Sequence, residues 1–291
     1  MKLEGVFVAL VTPFENGRIN EEKIRELVRL QLENGTDGIV PCGTTGESPA
    51  LSEAERNRVI EIVIEEVDGK ATVIAGTGTN NTDSTMQATQ RAKEMGADAA
   101  LVITPYYNKP TQEGLFRHFE AVARSVDLPV VIYNVPARTS VNMLPETVAR
   151  LMQFDNIVAI KEASGDLVQI SEVIQRCGDR LSVLSGDDLL FAPILIVGGC
   201  GIISVTSNVA PREVKALYEA FRASDPVSMS QWHQKLFPLS RALFLETNPI
   251  PVKTALNLIG KEVGEVRLPL APMSEANRNK LAHVLQEYGL V

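Results

Sequence analysis

Short runs of apolar, often β-branched residues recur along the chain and alternate with longer amphipathic segments. Because buried parallel strands read as continuous apolar stretches, eight of these runs predict strands. The runs are residues 6–11, 38–41, 72–75, 99–103, 130–133, 157–160, 181–184 and 202–205. Between them, residues 21–33, 53–67 and 167–176 carry apolar residues at helical spacing. The strand-helix unit recurs about every 25 to 30 residues, the size of a βαβ crossover.

Sequence similarity between two segments of the chain supports a repeated unit. Residues 33–40 match residues 94–101, and in each segment a glycine, Gly35 or Gly96, ends a helix shortly before a strand begins. Eight such units predict an α/β protein with a (β/α)8 TIM barrel. The alternative is an open doubly wound sheet. The barrel is favoured because no Gly-x-Gly-x-x-Gly turn follows the first strand and no change of composition divides the eight units.

The pattern changes after about residue 224, where only helices are predicted. These helices cover residues 229–246, 252–259 and 275–288. We therefore expect a catalytic barrel over residues 1–223 and a C-terminal helical extension over residues 224–291.

Charge and cysteine content exclude several classes of function. The net charge is -8, and no dense Lys/Arg tract suggests binding to nucleic acid or an anionic membrane surface. No stretch approaches the roughly 18 apolar residues of a membrane helix. Cys42, Cys177 and Cys200 are odd in number and lack Cys-x-x-Cys spacing, which favours a reducing cytoplasmic setting. In such an acidic protein, an anionic substrate needs a local cation.

Lys161 is the strongest candidate for chemistry, because barrel active sites lie at the carboxyl ends of the strands. It ends the apolar run 157–160, which is predicted to be covered on both faces. Burial disfavours an ammonium ion, so a lysine there is suited to act as an amine nucleophile. The alternative is an ion pair with Glu162 or another carboxylate, and position alone leaves the two evenly matched.

Tyr133 ends the preceding predicted strand, 28 positions before Lys161, which is one repeat unit. The two side chains are therefore expected on neighbouring strands about 5 Å apart. A phenol beside an amine can transfer protons during imine formation. Taken alone, Tyr133 is better explained as an aromatic residue that closes the barrel mouth with its hydroxyl in solvent.

Two further segments carry groups that can bind carboxylates. The turn that contains Thr44 and Thr45 supplies hydroxyls and backbone N–H groups, although such turns are common between a strand and a helix. Arg138 follows the strand of Tyr133 and can bind a carboxylate through two hydrogen bonds, or form a surface ion pair.

No metal site and no organic cofactor are predicted. His118, His233 and His283 lie far apart on predicted helices and lack metal-ligand spacing. Asp187 and Asp188 precede a predicted helix and are more simply explained by capping.

Several motifs together resemble the dihydrodipicolinate synthase family, the pyruvate-dependent class I aldolase-like barrels that also include N-acetylneuraminate lyase and 2-keto-3-deoxygluconate aldolase. The resemblance covers nearly the whole chain and is specific for this superfamily. The matching segments are residues 11–14 (VTPF), 43–48 (GTTGES), 105–110 (PYYNKP), 133–136 (YNVP), 161–166 (KEASGD) and 248–253 (NPIPVK). Within it, the Val-Pro-Ala-Arg-Thr sequence after Asn134 resembles the synthase branch rather than the lyase branches.

The resemblance implies a carbon–carbon bond-forming lyase that condenses pyruvate with L-aspartate 4-semialdehyde, in lysine and diaminopimelate biosynthesis. No cofactor is implied beyond a covalent Schiff base between Lys161 and pyruvate. The implied catalytic residues are Lys161, Tyr133, Thr44 and Tyr107, and the implied substrate-binding residues are Thr45, Arg138, Gly186 and Ile203.

The resemblance also implies an oligomer, because Tyr107 is expected to reach the site of a neighbouring subunit. A homotetramer built as a dimer of dimers is the expected assembly. Lysine feedback is expected to be weak or absent. Asn80 and Tyr106 match the family's inhibitor positions, but Ser84 replaces an acidic residue, and Glu53 and Arg56 stand where some sensitive members carry histidines.

Overall fold

Eight parallel strands close into a barrel in this computed structural model, which describes residues 1–291. The barrel strands are β1 (Gly5–Ala9), β4 (Gly38–Val40), β5 (Thr72–Gly76), β6 (Ala99–Ile103), β7 (Val130–Asn134), β8 (Ile157–Glu162), β9 (Ser182–Ser185) and β10 (Gly201–Ser204). Their hydrogen-bonded order is β1-β10-β9-β8-β7-β6-β5-β4, so the predicted TIM barrel is confirmed.

Twelve α-helices accompany the strands. Those before the end of the last barrel strand are α1 (Glu21–Glu33), α2 (Glu53–Val67), α3 (Thr82–Met95), α4 (Gln112–Ser125), α5 (Pro136–Thr139), α6 (Pro145–Leu151), α7 (Leu167–Cys177) and α8 (Phe191–Ile196). Those after it are α9 (Pro211–Arg222), α10 (Pro226–Ala242), α11 (Ile250–Leu258) and α12 (Glu275–Tyr288). None of them is long and apolar enough to cross a membrane.

Each predicted strand overlaps one barrel strand, and the differences lie at the ends. β8 continues two residues beyond the predicted run and so includes Lys161 and Glu162. A small antiparallel hairpin, β2 (Phe14–Glu15) and β3 (Arg18–Ile19), was not predicted. Its turn residues Asn16 and Gly17 both have positive φ, at 49° and 76°. Asn-Gly is the usual sequence for such a turn, but strands of two residues leave no readable alternation.

Contacts between residues divide the chain into two compact units. The first comprises residues 1–5 and 73–203. Its hydrophobic core lies between strands β6 to β9 and the helices α4, α6 and α7, and it includes fully buried Phe119, Val130, Ile160 and Val173. This packing fixes the directions in which β7 and β8 present their carboxyl ends.

The second unit comprises residues 6–72 and 204–291. Helix α1 packs on α2, and α10 packs on both α9 and α12. Asp37, directly before β4, accepts hydrogen bonds from Val6 N at 2.7 Å and from Lys215 Nζ at 2.7 Å, which connects α9 to β1 and to the start of β4. The boundary expected between residues 223 and 224 stays a prediction.

Candidate active site

Lys161 and Tyr133 lie side by side on adjacent strands. The parallel register of β7 and β8 pairs Tyr133 with Lys161, and the amine nitrogen lies 4.3 Å from the centre of the phenol ring. Both side chains are nearly buried, at 5% and 6% exposure. No carboxylate lies within ion-pair distance of Lys161. The structure therefore does not contain the alternative ion pair with Glu162. A buried amine without a counter-ion is available for covalent chemistry.

Glu162 points to the opposite face of β8, because successive side chains alternate along a strand. It is fully buried and accepts hydrogen bonds from Ser164 N at 2.8 Å and from Asn134 Nδ2 at 3.2 Å. Burial raises the pKa of the Glu162 carboxyl, and the hydrogen bonds from Ser164 and Asn134 oppose that shift. Asn134 Nδ2 also donates to Asn142 Oδ1 at 2.9 Å. This polar network connects the carboxyl ends of β7 and β8 on the face of the sheet opposite Lys161.

Gly186 lies directly against the stem of Lys161. Its N–H donates to Glu162 O at 2.7 Å. A Cβ atom at Gly186 would lie 2.7 Å from Ala163 Cβ and 3.1 Å from Lys161 Cγ, so a side chain there would force Ala163 to shift and would crowd the lysine stem. Ile203 lies on β10 in the same unit and is 1% exposed. Glycine at position 186 therefore leaves the space that Lys161 occupies.

Arg138 and Tyr107 are both exposed. Arg138 lies on α5, which begins two residues after β7 ends. Tyr107 is 89% exposed, and its backbone has a left-handed φ of 70°. Such a conformation is uncommon for an aromatic residue and costs on the order of 1 to 3 kcal/mol. The loop after β6 thus presents this ring away from its own chain.

Thr44 and Thr45 lie in the second unit, on a tight turn after β4. Cys42 and Glu47 flank the turn with left-handed φ values of 57° and 54°. The turn is closed by Glu47 N, which donates to Thr44 O at 3.1 Å. Thr12 Oγ1 donates to Gly46 O at 2.7 Å. These bonds fix the backbone that carries the two hydroxyls.

A buried ion pair supports this turn, and the sequence analysis assigned no role to its lysine. Lys253 is 1% exposed and donates to Glu47 Oε1 at 2.9 Å, Thr12 O at 3.0 Å and Glu265 O at 2.7 Å. Three donated bonds require three hydrogens, so the side chain is an ammonium ion. Burial lowers its pKa, and Glu47 opposes that shift. A single lysine within the apolar helix α11 was the readable signal.

The other residues considered from the sequence do not assemble into a site. No group of three His, Cys, Asp or Glu side chains is placed to hold a metal ion. His118 is buried and its Nδ1 lies 3.0 Å from Thr82 Oγ1, whereas His283 pairs with Glu287 on the surface. Asp187 accepts from Leu189 N at 2.9 Å, which confirms its capping role.

Comparison with known proteins agrees with this architecture. A protein named 4-hydroxy-tetrahydrodipicolinate synthase from Geotalea uraniireducens is 58% identical over 288 residues, covering 99% of both chains. The crystal structure of dihydrodipicolinate synthase from Aquifex aeolicus has a TM-score of 0.97 at 48% identity and covers 99% of both chains. The corresponding structure from Thermotoga maritima has a TM-score of 0.97 at 47% identity, with full coverage of both. The model of the dihydrodipicolinate synthetase family matches residues 2–288, and the chain belongs to this family.

Proposed function

We propose that the protein catalyses the condensation of pyruvate with L-aspartate 4-semialdehyde to 4-hydroxy-tetrahydrodipicolinate, the compound that the names of its relatives contain. The observation that carries the proposal is the buried Lys161 amine over the Tyr133 ring, with no counter-ion. The chemistry uses a lysine Schiff base and needs no metal or organic cofactor. It belongs to lysine and diaminopimelate biosynthesis.

Lys161 acts as the nucleophile in this mechanism. Its amine attacks C2 of pyruvate, water leaves, and the resulting protonated imine withdraws electrons from the methyl group. Loss of a methyl proton gives an enamine, whose terminal carbon forms a bond with the aldehyde carbon of the second substrate. The amino group of that substrate then attacks the imine carbon, which closes the ring and releases Lys161.

We assign the proton transfers of these steps to Tyr133, whose ring centre lies 4.3 Å from the Lys161 nitrogen and whose phenol is the type of group that transfers protons. We assign Thr44 and Tyr107 to the same hydroxyl relay. Tyr107 serves the site of a neighbouring subunit, in agreement with its 89% exposure in its own chain. The relay is thus complete only in an oligomer.

Two anionic substrates require fixed positive or donor groups, since the chain carries a net charge of -8. Thr45 and the turn around it bind the pyruvate carboxylate, and Arg138 binds the carboxylate of the semialdehyde. Gly186 and Ile203 line the pyruvate pocket. The exposed position of Arg138 suits a group that meets the second substrate at the mouth of the site.

We also propose a cytoplasmic homotetramer, arranged as a dimer of dimers. Tyr107 supplies one contact surface, and Val168 and Ile196 supply a second, since they are 78% and 74% exposed. Apolar side chains exposed to this degree often mark protein interfaces. Three free cysteines agree with a reducing compartment.

The deciding experiment follows pyruvate consumption with L-aspartate 4-semialdehyde, in the native protein and in Lys161→Ala. Turnover that requires both the aldehyde and Lys161 supports the proposal. If turnover is absent but borohydride still traps pyruvate on Lys161, the Schiff-base chemistry stands and the aldehyde is a different one. If borohydride traps nothing, the nucleophile is wrongly assigned.

Lysine is expected to inhibit this protein weakly or not at all. Ser84 stands in place of an acidic residue, so an ammonium group near Asn80 and Tyr106 lacks one counter-ion. Titration of the purified enzyme with L-lysine measures the effect. Inhibition at submillimolar lysine contradicts the prediction.

A further inference from the structure

Three hydrogen bonds connect the C-terminal part of the chain to the turn that carries Thr44 and Thr45. Asn248 Nδ2 donates to Thr45 Oγ1 at 3.0 Å. Lys253 Nζ donates to Glu47 Oε1 at 2.9 Å, and Arg267 N donates to Glu47 Oε2 at 2.8 Å. The turn therefore depends on residues more than 200 positions later in the chain.

The bond from Asn248 determines what the Thr45 hydroxyl can do. A threonine hydroxyl accepts through its oxygen lone pairs and donates its single hydrogen. Asn248 occupies an acceptor position, and Thr45 Oγ1 donates to no acceptor within the protein. Since Thr45 is only 2% exposed, its hydrogen remains for a bound ligand rather than for bulk water.

The Glu47–Lys253 pair acts on the backbone of the same turn. Glu47 has a left-handed φ of 54°, which is unfavourable for a residue with a long side chain. Its two carboxylate oxygens are held separately by Lys253 and by the Arg267 backbone. Lys253 Nζ and Arg267 Cζ also lie 4.2 and 4.1 Å from the centre of the Phe14 ring, so both cations contact this aromatic side chain.

We propose that Asn248 is a positioning residue for the first substrate. It directs the Thr45 hydroxyl toward the carboxylate of the bound 2-oxo acid, while the Glu47–Lys253 pair holds the backbone of the turn. The proposal rests on the proposed function, because it uses the assignment of Thr45 to the pyruvate carboxylate. It makes the segment after α10 a functional part of the active site.

The test compares Asn248→Ala with Asn248→Asp. Loss of one hydrogen bond in Asn248→Ala is expected to raise KM for pyruvate about five- to tenfold with a smaller change in kcat. Asn248→Asp keeps the shape of the side chain, but an ionised carboxylate accepts and cannot donate. It draws the Thr45 hydrogen away from the substrate and adds a negative charge near an anion. KM is therefore expected to rise further than in Asn248→Ala.

Asn277→Ala is the matched control, because it removes an amide that donates to Glu246 Oε1 at 2.9 Å and has no bond to the turn. Its KM for pyruvate is expected to equal the native value. Thr45→Val completes a double-mutant cycle, in which Asn248→Ala is expected to add little to the effect of Thr45→Val. Additive effects would assign Asn248 a structural role only and overturn the proposal.

Two other outcomes also overturn it. One is a KM for Asn248→Ala within about twofold of the native value, which is less than a typical hydrogen bond contributes. The other is a native KM for Asn248→Asp, which would mean that the side chain accepts rather than donates. Asn248→Asp carries the test if the alanine variant fails to fold. If the native protein does not use the semialdehyde, the pyruvate dependence of borohydride trapping gives the same comparison.

Discussion

Two buried lysines in this protein have opposite surroundings. Lys161, on β8, is 5% exposed and contacts the ring of Tyr133, with no anion beside it. Lys253, on α11, is 1% exposed and donates to one carboxylate and two backbone carbonyls. Two lysines that are buried to a similar degree therefore differ in the number of acceptors around the nitrogen, which is the basis for assigning them different roles.

The difference follows from where each lysine lies in its element. Lys161 is at the carboxyl end of a barrel strand, where side chains face the mouth of the barrel and backbone groups are already paired in the sheet. Lys253 faces chain segments outside regular structure, whose carbonyls at Thr12 and Glu265 need donors. The environment of Lys253 supplies three hydrogen-bond acceptors to its ammonium group, whereas Lys161 contacts the Tyr133 ring.

Lys161→Met gives the largest expected effect. Without the amine no imine forms, and removal of a covalent nucleophile typically costs about 10⁴-fold or more in kcat. Stability is expected to remain within about 1 kcal/mol of the native value, because no ionic partner is left unpaired. Steady-state assays and urea unfolding measure the two quantities. A large loss of stability would mean that Lys161 has a structural role as well.

Lys253→Met is expected to reduce stability, which Lys161→Met is expected to leave nearly unchanged. It leaves the Glu47 carboxylate buried without its cation, which costs about 3 to 5 kcal/mol in the free energy of unfolding. The double variant Lys253→Met/Glu47→Gln is the control, because it removes both charges and should recover part of that loss. Urea unfolding measures both variants. A loss below about 1 kcal/mol in the single variant would contradict the comparison.

His118 tests how burial changes the pKa of a basic side chain that has no anion beside it. Burial lowers its pKa from 6.5 to about 4, and its Nε2 has no hydrogen-bond partner. Because the unfolded chain binds the proton at higher pH, stability is complete above pH 6.5 and falls as the pH decreases toward 4. The loss from this group amounts to about 3 kcal/mol.

The measurement is urea unfolding of native protein and His118→Asn at several pH values across this window. The free energy of unfolding of the native protein is expected to decrease as the pH falls. That of His118→Asn is expected to depend less on pH. Parallel curves for the two proteins would assign the pH dependence to other groups.

Glu55→Gln gives the smallest expected effect, in an ion pair that is partly open to water. Glu55 binds Arg267 at 2.7 Å, and the two side chains are 26% and 20% exposed. The hydrogen bond from Arg267 lowers the pKa of Glu55 to about 2. The pair is expected to contribute about 1 kcal/mol at neutral pH, since solvent screens it.

That contribution is present above pH 4.5 and is lost as the pH falls toward 2, because the folded-state pKa lies below the ordinary value. Thermal melting of native protein and Glu55→Gln should therefore converge in acid. A difference as large as that of Lys253→Met would remove the distinction between buried and screened pairs.

The barrel and half of the site could be predicted because their signals are local. Apolar runs marked the strands, and the spacing of one repeat unit placed Tyr133 beside Lys161, where the register of β7 and β8 puts it. Gly186 was assigned only by resemblance, although its physical reason is the close approach of Ala163 and of the Lys161 stem. Local periodicity is the strongest information that a single sequence carries.

The support of the Thr44–Thr45 turn could not be predicted in the same way. Asn248 and Lys253 lie 203 and 206 positions from their partners, and no periodic pattern connects such distant residues. The exposure of Tyr107 was likewise not readable from its neighbours in sequence. Long-range side-chain contacts depend on how the elements pack, which single-sequence patterns do not encode.

The separation between the turn and its supports also has a consequence during synthesis on the ribosome. Thr45 leaves the ribosome 203 residues before Asn248. Translation adds about 5 to 20 residues per second, so roughly 10 to 40 s pass between the synthesis of the turn and the synthesis of the residues that support it. The residues of the compact unit that contains it come from both sides of the segment 73–203. A nascent chain therefore carries Thr45 well before its hydroxyl receives the hydrogen bond from Asn248, and the order of translation leaves the turn unsupported until that part of the chain has emerged.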